Sequence, residues 1–220
     1  MAMKRMTEAA DWQHPSKVHI FHIEQEHFDE SVPKEICRTI DTALDMAGMT
    51  KQVNVAIDGV SGGGKSTLGQ AIAKKYDCNL FHMDDFFLRS EQRTPERYAQ
   101  VGGNVDYERF QSEVLNHLAD RGGLTYRPFE CGSMELGEPR TVPYRRLNII
   151  EGAYSCHPYF GDVYQVRFFA DLSAEEQRAR ILARNGEEKY KRFENEWIPM
   201  ENKYFETYGI RDKCIIISLK

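Results

Sequence analysis

The sequence predicts an α/β fold in which helices cover both faces of a parallel sheet. Three observations lead to this prediction. Short apolar stretches alternate with longer stretches of helical periodicity. The first apolar stretch after residue 50 is rich in β-branched residues. A glycine cluster separates this stretch from the helical pattern that follows it. Parallel strands joined by helices are buried on both faces, so they appear in a sequence as short continuous apolar runs.

Five strands and four helices are predicted after residue 50. The strands are at 52–58, 79–83, 144–150, 163–172 and 213–219, and the helices are at 66–76, 105–118, 173–184 and 193–208. The helix at 173–184 opens with Ser-Ala-Glu-Glu, the pattern of a capping box. Residues 1–50 are predicted to form an N-terminal extension with a strand at 18–23. A helix capped by Ser31, with Pro33 near its start, would follow and run to Met46.

The composition excludes several classes of protein. The 220 residues suffice for one sizeable domain, and 41% of them are hydrophobic, which excludes a disordered chain. The 34 acidic residues outnumber the 29 basic ones, which argues against nucleic acid or an anionic membrane as a partner. No apolar run approaches the roughly 20 residues of a transmembrane helix, and residues 1–12 lack the apolar region of a secretory signal. Five scattered cysteines without a Cys-x-x-Cys pair complete the expectation of a cytoplasmic protein with reduced thiols.

A glycine-rich motif predicts the class of ligand. Residues 59–66 match Gly-x-x-x-x-Gly-Lys-[Ser/Thr] in full, between an apolar strand and a helical pattern. Glycines let several backbone N–H groups point at one anion, and the helix N-terminus behind them adds partial positive charge. The Lys can reach the outer phosphates of a nucleotide, and the hydroxyl after it can bind Mg²⁺. The predicted nucleotide-binding residues are Gly59, Ser61, Gly62, Gly63, Gly64, Lys65, Ser66 and Thr67.

Acidic residues follow two of the predicted strands. Asp84 and Asp85 come after the strand at 79–83, at the edge where open α/β sheets bind their ligands. A carboxylate there can accept the proton of an attacking hydroxyl or hold metal-bound water. Neighbouring side chains of an extended segment point to opposite sides, so only one of the two acids should face the reacting groups. Alternatively, residues 84–87 are a solvated acidic turn followed by two core phenylalanines. Glu151 ends the strand at 144–150 and is similar to a Walker B acid, which orders Mg²⁺ through water.

An arginine-rich segment at 177–192 predicts a lid. It carries six basic and two acidic residues in a chain whose net charge is −5. Arginine suits a closing lid because it neutralises charge on a transferring phosphoryl group. The helical pattern is interrupted at Arg184-Asn185-Gly186, as the tip of a lid would be. The alternative is a charged, solvated helix face, which is the usual role of such segments.

In these segments the chain resembles the uridine kinase branch of the P-loop kinases, a relative of phosphoribulokinase and pantothenate kinase. The resemblance spans roughly 53–219 and rests on five segments in family order, which are 59–67, 84–87, Asn104-Val105-Asp106, 149–152 and the arginine-rich lid. It implies the three-layer P-loop NTPase fold, with a P-loop kinase domain over 51–220 and a lid near 177–192. It also implies ATP as the phosphoryl donor and Mg²⁺ as the cofactor.

The resemblance implies roles for single residues at the donor site. Asp84 matches the general base that takes the proton of the acceptor's hydroxyl, and Lys65 and Arg184 would complete the catalytic set. Arg180 and Arg184 match lid arginines that meet phosphates. Ser66 and Glu151 would serve Mg²⁺, the first directly and the second through water.

On the acceptor side, the resemblance assigns substrate contacts to Asp84, Phe87, Asp106 and Tyr126. Phe87 matches an aromatic residue that packs by the nucleoside, Asp106 an acid that holds the sugar, and Tyr126 a residue that contacts the base. Uridine kinases carry a histidine after this tyrosine that reads the pyrimidine. The corresponding segment here, Phe129-Glu130-Cys131-Gly132, contains none. The segment at 197–201 has no counterpart in the family, and we expect a Pro-interrupted helix that packs at the base of the lid.

The function implied is an ATP-dependent kinase for a hydroxyl of a small acceptor, first of all a nucleoside such as uridine or cytidine. The alternative is a kinase for a non-nucleoside acceptor, either pantothenate-like or a sugar phosphate. A nucleotide-dependent switch or ATPase would need a water-positioning residue near the γ-phosphate, and the sequence shows no such signature. The expected partner is a small molecule, with neither nucleic acid nor membrane, and a homo-oligomer is compatible with the sequence. ATP or GTP as donor and the role of residues 1–50 stay open.

Overall fold

A six-stranded parallel sheet forms the centre of the protein, whose computed structural model describes residues 19–23 and 32–219. The strands in those residues are β1 Ile20–Ile23, β2 Val53–Gly59, β3 Cys78–His82, β4 Leu124–Tyr126, β5 Phe129–Glu130, β6 Glu135–Leu136, β7 Arg140–Val142, β8 Leu147–Glu151, β9 Val166–Asp171 and β10 Ile215–Leu219. The main sheet has the order β1-β10-β9-β2-β8-β3, and all its strands are parallel. The predicted α/β fold is thereby confirmed.

Helices cover both faces of this sheet. In the described residues they are α1 Lys34–Ala47, α2 Lys65–Lys75, α3 Pro95–Ala99, α4 Tyr107–Glu113, α5 Ala174–Arg192 and α6 Ile198–Tyr208. Ile36 of α1 packs with Val55 of β2 on one face, and Phe110 of α4 and Tyr204 of α6 belong with Ala56 to the core on the other. Consecutive residues of a strand point to opposite faces, so both sides of β2 are buried. None of the described helices has the length and apolar character that a membrane crossing requires.

The five strands predicted after residue 50 are all present, each within a few residues of its predicted bounds. The helix predicted at 105–118 is shorter than expected. Val105 forms a β-bridge with Phe87, and the Asp106 side chain accepts a hydrogen bond from the backbone N–H of Arg109 at 3.1 Å, so that α4 begins after Asp106. A short 3₁₀ turn at Leu115–His117 follows α4.

Two small antiparallel ribbons were not predicted from the sequence. β4 pairs with β7, and β5 pairs with β6, between α4 and β8. Their strands are only two or three residues long. Runs this short carry no recognisable periodicity, which needs four or more residues.

The N-terminal part of the described chain joins the main sheet. β1 extends the sheet beyond β10, with Ile20 opposite Ile216, and α1 packs against β2 and β9. The N-cap of α1 is Pro33, which makes no side-chain capping hydrogen bond. Pro33 has φ −53°, close to the helical value that its ring imposes. Ser31 and Val18, with which the predicted strand began, lie outside the described residues.

The predicted lid segment is a helical hairpin. α5 breaks at Gly186, whose φ of 78° and ψ of 168° no helix can contain, and the second arm continues through a π-helical turn at Phe193–Trp197 into α6. Ile181 on the first arm packs against Tyr190 and Phe193 on the second. The break at Arg184-Asn185-Gly186 expected from the sequence is therefore the tip of this hairpin, and the capping box that Ser173 forms with Glu176 is present.

Candidate functional site

The glycine-rich motif at residues 59–66 forms a loop between β2 and α2, called the phosphate loop below. Gly59 has φ +135°, and a Cβ there would lie 2.2 Å from the carbonyl oxygen of Ala170 on β9, so no side chain fits. Gly64 takes the left-handed conformation at the N-cap of α2. Lys65 lies across the loop, with Nζ donating to the carbonyls of Gly59 at 2.8 Å and Val60 at 2.9 Å. The backbone is thus curled around the N-terminus of α2, as an anion-binding loop requires.

A buried carboxylate supports the loop from below. Asp58, which has no exposed surface, accepts hydrogen bonds from the backbone N–H groups of Gly59 at 2.7 Å, Tyr154 at 3.2 Å and Cys156 at 2.9 Å. The hydroxyl of Tyr204 donates to it at 2.8 Å. Burial raises the pKa of Asp58, and these hydrogen bonds oppose the rise. Asp58 therefore joins β2, the segment after β8 and α6 beneath the loop.

A second buried carboxylate connects the loop to the helical hairpin. Glu201 of α6 accepts a hydrogen bond from the backbone N–H of Ser61 at 2.9 Å and from its hydroxyl at 2.5 Å. The side-chain amide of Gln177 in α5 donates to the carbonyl of Ser61 at 3.0 Å. Both arms of the hairpin thus hold the same loop residue. The segment at 197–201 was expected to pack at the base of a lid. It contacts the loop through Glu201, a contact of which the sequence showed no sign.

The two adjacent acids after β3 have different surroundings. They lie in the 3₁₀ turn Met83–Phe86, not in the extended segment expected. Asp84 is exposed to solvent, yet the surrounding protein withdraws it from part of the bulk water. This desolvation is the largest cause that raises its pKa, followed by the charge of Glu151, while the charge of Lys65 lowers it. An accessible carboxyl with a raised pKa suits proton transfer.

Asp85 is engaged with protein groups instead. The hydroxyl of Tyr126 donates to its carboxylate at 2.9 Å, and Arg140 donates to the same oxygen at 3.1 Å. Its backbone carbonyl accepts a hydrogen bond from Arg109 at 2.8 Å. Asp85 therefore anchors the β4–β7 ribbon to the turn, and Asp84 is the accessible acid of the pair.

Glu151, the acid predicted to serve Mg²⁺, lies at the carboxyl edge of the sheet. Glu151 ends β8 directly opposite His82, which ends β3, and His82 Nδ1 bonds to its Oε1. This hydrogen bond raises the pKa of His82, although burial opposes the rise. The Cγ of Glu151 packs against Gly69 of α2, where a Cβ would meet it at 3.2 Å. Glu151 thus stands beside the first turns of the helix that carries Ser66.

Three predicted acceptor residues lie next to this edge. Asp106 is buried, and it also accepts a hydrogen bond from Gln92 at 2.8 Å. Tyr126 is buried as well, with its ring stacked on Phe86 at 5.4 Å between centroids. Phe87 is half-buried against the core and bridged to Val105. Of these side chains, Phe87 leaves the most surface to a ligand.

The two predicted lid arginines differ in position. The Cβ of Arg180 lies 3.7 Å from the point where a Cβ of Gly62 would be, so its stem runs beside the phosphate loop. Arg184 is exposed near the hairpin tip, where its Nε donates to the Asn185 side chain at 2.7 Å and its guanidinium lies 5.9 Å from the Phe193 ring. The structure brings Arg180 to the loop and leaves Arg184 on the hairpin.

The residues present fit Mg²⁺ bound together with a nucleotide. The Ser66 hydroxyl is exposed at the first turn of α2, and Glu151 supplies a carboxylate nearby. In the described part of the chain, no group of three or more His, Cys, Asp or Glu side chains could hold a metal alone. Mg²⁺ commonly takes one or two protein oxygens and completes its shell with phosphates and water. The Ser66 hydroxyl and the Glu151 carboxylate agree with this type of Mg²⁺ coordination.

Comparisons with known proteins agree with this geometry. The family model of shikimate kinase matches residues 61–125, which begin inside the phosphate loop. A possible uridine kinase from Bacillus stearothermophilus superposes with a TM-score of 0.63 at 19% identity, over 83% of this chain and 95% of that one. The fold is that of the P-loop kinases. The resemblance to the uridine kinase-like branch is thereby confirmed at the level of the fold.

Other structures with the P-loop kinase fold are similar too. A candidate fructose transport system kinase from Silicibacter sp. TM1040 has a TM-score of 0.64 at 20% identity, over 83% of this chain and 96% of that one. D-glycerate 3-kinase from Cryptococcus neoformans has a TM-score of 0.51 at 14% identity, over 78% and 88%. No curated protein sequence matches the chain significantly. These relatives share an architecture and differ in the acceptor that their names give.

Proposed function

We propose that this protein transfers the γ-phosphoryl group of ATP to a hydroxyl group of a small acceptor. One observation carries the proposal. Asp84 is an accessible acid at the carboxyl edge of the sheet. Desolvation is the main cause that raises its pKa, the charge of Glu151 in β8 raises it further, and the charge of Lys65 in the phosphate loop lowers it. A proton acceptor is therefore close to the groups that would hold the donor phosphates. A fold alone does not give a reaction, and this pairing supports transfer to an acceptor.

The donor would bind along the phosphate loop. The loop's N–H groups would face the phosphates, and Lys65 would exchange its two bonds to loop carbonyls for bonds to phosphate oxygens. Ser66 and Glu151 would hold Mg²⁺, which when bound neutralises charge on the outer phosphates. Glu151 already carries a bond from His82, and that bond orients the carboxylate.

The transfer step follows from the position of Asp84. The acceptor's hydroxyl oxygen forms a bond to the γ-phosphorus while its proton passes to the Asp84 carboxylate. The bond between the γ-phosphorus and the bridging oxygen breaks, and ADP leaves with that oxygen. Positioning and charge stabilisation supply most of the rate, and proton removal is secondary. Closure of the lid hairpin would exclude the water that otherwise competes with the acceptor.

The geometry bears on the choice of acceptor. A nucleoside such as uridine or cytidine is the acceptor that the sequence resemblance implies. The residue expected to contact its base, Tyr126, is buried, its ring is stacked on Phe86, and its hydroxyl donates to Asp85. These contacts leave it little surface for a base. They favour the alternative of an acceptor without a base, such as a hydroxy acid or a sugar phosphate.

Acceptor-dependent release of ADP tests the proposal. Purified protein with MgATP is assayed against nucleosides, pantothenate, hydroxy acids and sugar phosphates, each with and without protein. The proposal expects ADP release that requires one class of acceptor and yields its phosphate ester. Asp84→Asn should abolish that release and leave ATP binding intact. Equal ADP release with and without every acceptor would instead identify an ATPase.

A further inference from the structure

Arg93 is a half-buried guanidinium that has no acidic partner among residues 19–23 and 32–219. Its Nε donates to the carbonyl of Leu88 at 3.0 Å, and its Cζ lies 5.6 Å from the centre of the Phe129 ring. Within the described residues, its terminal nitrogens donate to no protein acceptor and no carboxylate lies at ion-pair distance. Neighbouring arginines are paired: Arg89 with Glu91, Arg97 with Glu108, Arg109 with Glu113 and Arg140 with Asp85.

The place of Arg93 connects it with the proposed acceptor site. Leu88, which holds its Nε, directly follows Phe87, and Phe129 lies in β5 two residues before Cys131. The Cys131 thiol is exposed, yet partial desolvation by the surrounding protein is the main cause that raises its pKa. The charge of Asp84 raises it further, and the charge of Arg93 lowers it. Asp84 and Arg93 are thus both near this thiol.

A guanidinium in this setting is suited to an anion. The Arg93 guanidinium has lost part of its hydration, and no carboxylate of the described chain compensates its charge. This state is unfavourable until an anion binds. The bond to Leu88 and the ring of Phe129 restrict its orientation, so its terminal N–H groups form a prepared fork. Such a fork matches the paired oxygens of a carboxylate or a phosphate. The nearby charge of Asp85 does not oppose an anion strongly, because Arg140 neutralises it.

We infer that Arg93 binds an anionic group of the acceptor, a carboxylate or a phosphate, while the hydroxyl to be phosphorylated lies at Asp84. This inference rests on the proposed kinase function and narrows its acceptor to negatively charged hydroxyl compounds. The segment that contains Cys131 is the one where uridine kinases carry their base-reading histidine. In this chain residues 129–132 contain no histidine, and Arg93 lies against Phe129 at the start of that segment.

Matched pairs of neutral and anionic acceptors test the inference through turnover. Glycerol is compared with D-glycerate and glycerol 3-phosphate, and ribose with ribose 5-phosphate, beside uridine and cytidine. We expect ADP release with anionic members, and the carboxylate and phosphate members distinguish the two sources of charge. In Arg93→Gln, KM for the anionic acceptor should rise about 10- to 100-fold, the usual loss for a charged hydrogen-bonded pair, and KM for ATP should not change. For Arg93→Lys, KM for the anionic acceptor should lie between those of the parent protein and Arg93→Gln.

A matched control variant distinguishes this loss from general damage. Arg145→Gln removes an arginine whose Nε lies 2.6 Å from an oxygen of Asp77, before the first residue of β8 and hence at the opposite edge of the sheet. It should leave both KM values unchanged. If Arg93→Gln and Arg145→Gln reduce turnover alike, the Arg93 effect is structural and the inference is wrong.

Alkylation of Cys131 tests binding without turnover. Cys131 is the exposed thiol among the five cysteines, and Cys131→Ser verifies which thiol reacts. With a non-hydrolysable ATP analogue and Mg²⁺ filling the phosphate loop, D-glycerate or glycerol 3-phosphate should slow alkylation by iodoacetamide severalfold. An anion on Arg93 both shields the thiol and cancels the charge that favours its thiolate. The protection should disappear in Arg93→Gln.

The outcomes separate the inference from the function on which it rests. ADP release that no acceptor stimulates, together with protection of Cys131 by anions, would refute the kinase proposal and keep the anion site. A neutral acceptor such as uridine that is used equally by the parent protein and Arg93→Gln would refute the anion site and keep the kinase. Absence of protection by any anionic compound would also overturn the inference.

Discussion

Ser61 of the phosphate loop donates two hydrogen bonds to the carboxylate of Glu201, one from its backbone N–H at 2.9 Å and one from its hydroxyl at 2.5 Å. The carboxylate is buried, and its surroundings also contain the charges of Lys65 and Asp58. A carboxyl group of the protein therefore holds the loop at the place where an anionic ligand is expected.

Replacing Glu201 by Gln should change how stability depends on pH. Burial is the main cause that raises the pKa of Glu201 above its ordinary value of 4.5. The folded protein then binds more protons than the unfolded chain, so the free energy of unfolding falls as pH rises from about 4.5 through the raised pKa. Glu201→Gln keeps the shape and removes this loss. Glu201→Gln also loses one of the two acceptor oxygens for Ser61, which lowers stability at every pH. The free energy of unfolding of the variant relative to the parent protein should nevertheless rise with pH, as measured by urea unfolding between pH 4 and pH 8.

Glu206→Gln provides the control for that experiment. Glu206 lies on the same helix and is exposed, so its replacement should leave the pH dependence as it is in the parent protein. Parallel curves for Glu201→Gln and the parent protein would show that Glu201 does not carry the effect.

Lys65→Ala should lower acceptor-dependent turnover by about 100-fold or more, because one preorganised charge on the transition state contributes roughly 3 kcal/mol. Steady-state ADP release measures the loss. Lys74→Ala, an exposed lysine in the last turn of the same helix, should leave turnover within about twofold. Turnover close to that of the parent protein in Lys65→Ala would contradict the assignment of the donor site.

Asp84→Asn and Asp85→Asn should have different consequences. The first removes the accessible base and should cost about 10²- to 10⁴-fold in turnover, while calorimetry shows ATP binding unchanged. The second weakens hydrogen bonds from Tyr126 and Arg140, so it should lower the free energy of unfolding by about 1–3 kcal/mol and cost clearly less turnover. The reverse ranking of turnover would assign the base to Asp85.

Arg184→Ala should lower turnover about tenfold or more and barely change the Kd for ATP measured without acceptor. Arg184 lies on the hairpin tip, bonded to Asn185, so it can meet phosphate only after closure. Arg192→Ala removes an exposed arginine of the second arm and serves as the control. An equal loss of ground-state ATP affinity in Arg184→Ala would indicate a fixed binding residue.

Local signals made much of this molecule predictable from its sequence. The glycine pattern at 59–66, the capping box that begins at Ser173 and the interruption at Gly186 each act within a few residues, and each was found where expected. The strands of the main sheet were recognisable because burial on both faces demands continuous apolar runs. Only one of the two acids Asp84 and Asp85 was expected to face the reacting groups, because the segment was predicted to be extended. Asp84 is accessible and Asp85 is bonded to protein groups, but the segment that positions them is a turn and not a strand.

The residues that were missed act across the chain. Glu201 bonds to Ser61, and Tyr204 bonds to Asp58, although each pair is far apart in sequence. Nothing next to Glu201 distinguishes it from a solvated helix residue, because its role arises only when α6 crosses the phosphate loop. Arg93 was missed for the same reason, since its lack of an acidic partner in the described part of the chain is visible only in three dimensions.

The order of strands in the sheet also governs how the chain matures during synthesis. The central strand β2 pairs through Val53 with Leu147 and through Val55 with Val166. Translation at 5–20 residues per second leaves β2 without these neighbours for roughly 5–20 s. Gly59 packs on Ala170, and the backbone N–H of Val60 donates to the carbonyl of Ala170, so the phosphate loop takes its final shape only after β9 emerges. An anionic ligand of the loop could therefore stabilise the chain only after β9 has joined the sheet, and until then β2 lacks both of its neighbouring strands.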